Sequence, residues 1–117
     1  MNKHEVLRRT KQFALRVVQL VESLPRGRTT EVLGRQLLRS GTSVGANYRA
    51  ACRAKSQADF VAKMGIVEEE ADEALYWMEL LVEAGIVKAQ KLESLMKETD
   101  EILSITVASI KTARKGK

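Results

Sequence analysis

Apolar residues recur along this chain at intervals of three and four, the period of an α-helix packed on one side. In residues 3–24, Val6, Phe13, Val17, Leu20 and Leu24 fall on one stripe, with Leu7, Ala14, Val18 and Val21 beside it. Arg8, Arg9, Lys11, Gln12, Arg16 and Gln19 occupy the rest, so the exposed side of this helix is basic. Pro25 and Gly27 end the pattern. Thr29 or Thr30 is the expected cap of the next helix, with Glu31 in its first turn. A second helix over residues 31–55 places Leu33, Leu37, Val44, Tyr48 and Ala51 on its core stripe. Arg35, Arg39, Thr42, Ala46, Arg49 and Arg53 then run along the opposite side.

Ser56 to Asp59 reads as a capping box with an acid in its last position, and Phe60 follows at once. On a third helix over residues 57–84, Phe60, Met64, Val67, Ala71, Ala74, Leu75, Met78, Leu81 and Val82 share a face, and Gly85 supplies the stop. Glu68, Asp72, Glu79 and Glu83 form a solvated acidic face. Ile66, Trp77, Leu80 and Ala84 make a second apolar strip that contains Glu70 and Glu73. A fourth helix over residues 89–113 carries Leu92, Met96, Thr99, Leu103, Thr106 and Ile110, flanked by Ile102 and Val107. Four such helices joined by short turns predict one all-α domain over residues 1–117, an antiparallel up-down-up-down four-helix bundle.

Residues 39–51 interrupt the large side chains with small ones. Gly41, Ser43, Gly45 and Ala46 surround Val44 and Asn47, and each helical glycine costs roughly 1 kcal/mol against alanine. Such a concentration predicts close approach of neighbouring helices, within the bundle or in an assembly. A local kink near Ser40 and Gly41 is the alternative, and a sharp break there would ruin the register of the arginine stripe.

The 117 residues suffice for a single core without covalent staples. Cys52 is the lone cysteine, which excludes an intrachain disulfide and fits a reducing cytoplasm. The charged N-terminal stretch lacks the apolar run of a signal peptide, and no segment approaches the ~20 apolar residues of a membrane span. Charge is segregated: residues 1–55 carry +9, residues 56–85 carry −7 and residues 86–117 carry +3. A basic half has the footprint of a phosphate-binding surface. It equally suits pairing with the acidic third helix, inside the bundle or across subunits.

Catalytic constellations are absent from the pattern. A carboxylate-bridged di-iron bundle needs two Glu-x-x-His motifs, and the chain has one histidine, His4. Cys52 has no histidine suited to act as its base, and Gly41 and Gly45 lack the strand-to-helix context of a phosphate-cradling loop. No metal, cofactor or enzymatic activity is expected. Glu70 and Glu73, set in an apolar strip, are expected to meet Asn47, Arg49, Arg53 or a group of another subunit in a buried polar network beside Trp77.

Through the segments RQLLRSGTSVGANYRAA, SQADF and EEADEALYWMELLVEAG, the chain closely resembles, over roughly residues 7–88, the four-helix-bundle family encoded in intervening sequences of bacterial 23S rRNA genes. The most specific parts are SGTSVGAN, the start at Ser56, Asp59 and Phe60, and the set Glu70, Ala71, Glu73 and Trp77. Ala50 and Gly65 depart from the family pattern, which often has an acid and a larger residue there. The resemblance implies a homopentameric bundle without enzymatic activity. A relative in fold, the accessory protein of diversity-generating retroelements, binds nucleic acid and a reverse transcriptase. The expected function is therefore RNA or DNA binding through Arg8, Arg9, Lys11, Arg16, Arg35, Arg39, Arg49 and Arg53. The alternative is a structural or adaptor oligomer that binds a protein partner without nucleic acid.

Overall fold

Local start and stop signals cut the chain into four α-helices: α1 Lys3–Glu22, α2 Arg28–Ala51, α3 Gln57–Glu83 and α4 Ala89–Lys115. The structure, a computed structural model, describes residues 1–116. Asn2 caps α1 by accepting from the Glu5 N–H while the Glu5 carboxylate accepts from the Asn2 N–H, a reciprocal capping box. Ser56 caps α3 by accepting from the Asp59 N–H at 3.0 Å. The Asp59 carboxylate reaches one residue further back than a capping box requires and takes the Lys55 N–H at 3.1 Å. The Lys63 ammonium bonds both its oxygens, and these contacts, Lys63 first, hold the Asp59 carboxyl below its usual range. At the end of α3, Gly85 takes a left-handed φ of 76°, and the Gly85 and Ile86 N–H groups bond back to Val82 and Leu81. That is a Schellman stop, which a side chain at residue 85 would strain.

The helices pack in chain order, α1 on α2, α2 on α3 and α3 on α4, while α4 closes back on α1 over the smallest interface. The resulting body measures 49 × 21 × 20 Å. Its core is the sum of the sequence stripes. Phe13 and Val17 of α1, Leu37 and Val44 of α2, Met64, Met78 and Leu81 of α3 and Leu92 of α4 are all fully buried. Buried hydroxyls bond within their own helices: Thr10 donates to Val6 at 2.9 Å, Ser40 to Gln36 at 3.0 Å and Thr99 to Leu95 at 2.8 Å. No buried side-chain polar atom among the described residues lacks a partner.

Partner numbers between helices fall on one as they rise on the other. Cβ positions built at Gly45, Gly41 and Gly34 of α2 meet Thr10, Val17 and Val21 of α1 in turn. Between α1 and α4, Arg9 reaches Glu98 and Arg16 reaches Ser94.

Several sequence expectations require correction. The second helix begins at Arg28, capped by Gly27, not by Thr29 or Thr30; Thr30 is turned into the bundle and is buried. The same helix stops at Ala51 because Arg53 and Ala54 bond back over three residues, and the next backbone donor, Lys55, is taken by Asp59. α1 ends two residues early, where Ser23 donates its hydroxyl to Leu20 at 2.7 Å, and α4 runs two residues beyond its expected end. α2 is helical through Ser40 and Gly41, so no loop interrupts the register there. On α4 the core position is Ile102, with Leu103 only partly buried beside it.

Candidate functional site

The seam between α1 and α2 is narrow because α2 presents glycine to α1. A Cβ at Gly45 would sit 3.3 Å from the Thr10 carbonyl oxygen, and one at Gly41 would sit 2.9 Å from both Val17 methyls. Such contacts leave the two backbones closer than larger residues permit. Over this seam, on the outside of the bundle, lies an open groove of about 780 Å³. Its floor is formed by Leu7, Ala14, Gly45 and Ala46, with Thr10, Thr42 and Cys52.

Around that floor stand cations. Lys3, Arg8 and Lys11 come from the start of α1, and Arg49 and Arg53 from the end of α2 and the turn after it; His4 completes the lining. All six are exposed, and no carboxylate lines the groove among the described residues. The Asn2–Glu5 capping box fixes Lys3 and His4 in the first helical turn, so the chain start contributes to the wall.

On other faces of the molecule two arginines are paired with acids. Arg9 bonds Glu98 through two nitrogens, at 2.6 and 2.8 Å, and also bonds Glu101. The hydrogen bond to Glu98, foremost, raises the guanidinium pKa above its already high value. Arg39 reaches Glu70 at 3.3 Å and also bonds Glu73. Arg16 donates to the Ser94 hydroxyl at 2.9 Å on the α4 side, and Arg35 is exposed but does not line the groove. Of the eight basic residues singled out in the sequence, the structure thus gathers Arg8, Lys11, Arg49 and Arg53. Lys3 and His4 join them and were missed, although Asn-x-x-Glu at residues 2–5 signals the helix start that places them.

The polar network beside Trp77 exists with different members. Glu73 accepts from the Trp77 indole N–H at 3.1 Å, but the cation bridging Glu70 and Glu73 is Arg39, not Arg49 or Arg53. Arg39 lies 15 residues before Ala54, the middle of the α2–α3 connection, and Glu70 lies 16 after it, so folding back at the connection sets them opposite. Asn47 donates to the Ser43 carbonyl at 2.8 Å on its own helix. Nor is the network deeply buried: the side chains of Arg39 and Glu73 are 48% and 37% exposed. Among the small residues, Gly41 and Gly45 face α1, Val44 is core, Ser43 donates to the Arg39 carbonyl, and Ala46 is exposed in the groove floor.

Among the described residues Tyr48 is the one buried group with a strongly displaced pKa, pushed up to about 12 by burial and then by the neighbouring Cys52. Among the described residues no group of three or more His, Cys, Asp or Glu is placed to hold a metal ion, and no helix is long and apolar enough to cross a membrane.

Comparison with known proteins agrees with the motifs. The family model described as 23S rRNA-intervening sequence protein matches residues 2–108. A crystal structure of a protein of unknown function, from the S23 ribosomal protein family of Bacteroides thetaiotaomicron VPI-5482, is 38% identical. It superposes with a TM-score of 0.88, covering 95% of this chain and 99% of the other. No curated protein matches the chain. The motif set, the four-helix fold and the match over nearly the whole length lead to one conclusion: the chain belongs to the 23S rRNA-intervening sequence protein family.

Proposed function

We propose that this protein is a non-enzymatic, oligomeric helical bundle that binds RNA or DNA through phosphate contacts in the α1–α2 groove. One observation carries the reading: five Lys and Arg side chains share a groove with no carboxylate, whereas Arg9 and Arg39 elsewhere are held by glutamates. Unpaired cations attract phosphate without first breaking an ion pair, and binding releases counterions from the nucleic acid. The proposal includes an antiparallel up-down-up-down course, supported by the falling partner numbers between α1 and its neighbours. It also includes a homopentamer, which the family resemblance suggests, and a cytoplasmic location, which suits the lone cysteine. A protein partner such as a reverse transcriptase rests on the related retroelement protein alone.

The test is fluorescence anisotropy of labelled 23S-derived stem-loops and random-sequence duplexes at two salt concentrations. Five phosphate contacts give a slope of log affinity against log salt of roughly −3.5 to −4.5, or a loss on the order of a hundredfold or more between 50 and 200 mM. The double substitution Lys11→Glu, Arg49→Glu is expected to abolish binding while the circular dichroism spectrum is retained. Absence of binding by the native protein at low salt refutes the reading.

A structural or adaptor role has its own support, since Asp72, Glu79 and Glu83 lie exposed on α3 and suit a basic partner surface. Removing Glu68, Asp72, Glu79 and Glu83 then dissociates the assembly in sedimentation velocity. A nucleic-acid binder keeps its assembly and binds more tightly.

A further inference from the structure

We infer that the groove takes a single, unpaired strand of nucleic acid in preference to a duplex, an inference that rests on the proposed function above. The cations stand around a concavity, not on a ridge. A duplex is read by convex elements that enter its grooves, the major groove being about 12 Å wide. Between α1 and α2 the protein offers the opposite shape, an open trough of about 780 Å³, within the size range of sites that bury a small ligand. The floor is aliphatic, with Ala46 exposed and Leu7 and Ala14 half-buried beneath whatever occupies it. Phosphates alone gain nothing from such a floor, whereas unpaired bases and sugars cover it while their phosphates meet the rim.

Length agrees with charge. Lys3 to Ala14 spans about 16 Å of helix at 1.5 Å per residue. One strand carries a phosphate every ~3.4 Å when stacked, so at most about five phosphates lie along the groove. That matches the five Lys and Arg side chains around it. Among the described residues no Phe, Tyr or Trp lines the groove, so stacking on large aromatic rings does not supply sequence preference. The occupant is thus a short single-stranded stretch of RNA or DNA, free or in the loop of a hairpin.

The experiment compares a labelled 12-nucleotide strand with the same strand annealed to its complement, by anisotropy at low and moderate salt. The expected result is at least tenfold tighter binding of the single strand, with a salt slope near −0.7 for each phosphate contacted. In a second measurement, Ala46→Leu fills the floor at an exposed helical position without altering charge, and it is expected to reduce the preference below threefold. Equal or tighter binding of the duplex overturns the inference and leaves nucleic-acid binding standing. An Ala46→Leu protein that keeps the full tenfold preference overturns the role of the floor. Failure of both forms to bind at low salt overturns the proposed function itself.

Discussion

Replacing Gly41 by alanine tests whether glycine sets the distance between α1 and α2. In a helix interior the change by itself favours folding by about 1 kcal/mol, because glycine loses more backbone entropy. Here the new Cβ would lie 2.9 Å from Val17 Cγ1, 2.9 Å from Cγ2 and 3.2 Å from Cβ. Val17 is fully buried, and turning its side chain leaves the Cβ contact in place, so α1 must shift outward. Overpacking of this kind costs about 1–3 kcal/mol. The net expectation is a loss of about 1 kcal/mol. Gly65, with nothing within 4 Å of a built Cβ, is the control, and Gly65→Ala should gain up to about 1 kcal/mol.

Thermal denaturation at matched protein concentration should then separate the two variants by roughly 6–10 °C, taking about 4 °C per kcal/mol for a chain of this size. Val17→Ala removes the two methyls at 2.9 Å and leaves only the 3.2 Å Cβ contact, so in that background Gly41→Ala should cost less, a coupling of about 1 kcal/mol. If Gly41→Ala melts as high as Gly65→Ala, the close approach of α1 and α2 does not depend on glycine.

Glu73→Ala should change the emission of Trp77, the lone tryptophan, because its indole N–H loses its acceptor. With Arg39 and Glu73 well exposed, the same variant should cost no more than about 1 kcal/mol in urea denaturation. An unchanged spectrum, or a loss far above that figure, contradicts the half-exposed network. Tyr48 predicts instability in alkali. Its folded pKa of about 12 lies above the ordinary value of 10.0, so its contribution is complete below pH 10 and is lost as pH rises towards 12. Phenolate absorbance should show one late-ionising tyrosine. Tyr48→Phe should remove that step, and a titration completed well below pH 12 in the folded protein refutes the burial argument.

What the sequence by itself determined is local. The four helices, most of the core stripes, the Ser56 cap and the Gly85 stop are all legible, since period, caps and left-handed glycine act over a few residues. The family was legible for a similar reason, its motifs being contiguous. Boundaries failed where a tertiary demand intervened: Thr30 is buried against the bundle instead of capping α2, and Lys55 serves α3 instead of extending α2.

Only the tertiary structure decided what each arginine does. Arg35, Arg39, Arg49 and Arg53 share one stripe on paper. Helix packing gives Arg39 to two acids of α3, leaves Arg35 outside the groove, and joins Arg49 and Arg53 to Lys3, Arg8 and Lys11. Likewise, Arg9 is claimed by Glu98, 89 residues away. A charge has the same signature in sequence whether it is paired or free, because its Coulomb partner is chosen by distance in space. The basic groove therefore emerges only when the glycines of α2 bring that helix against α1.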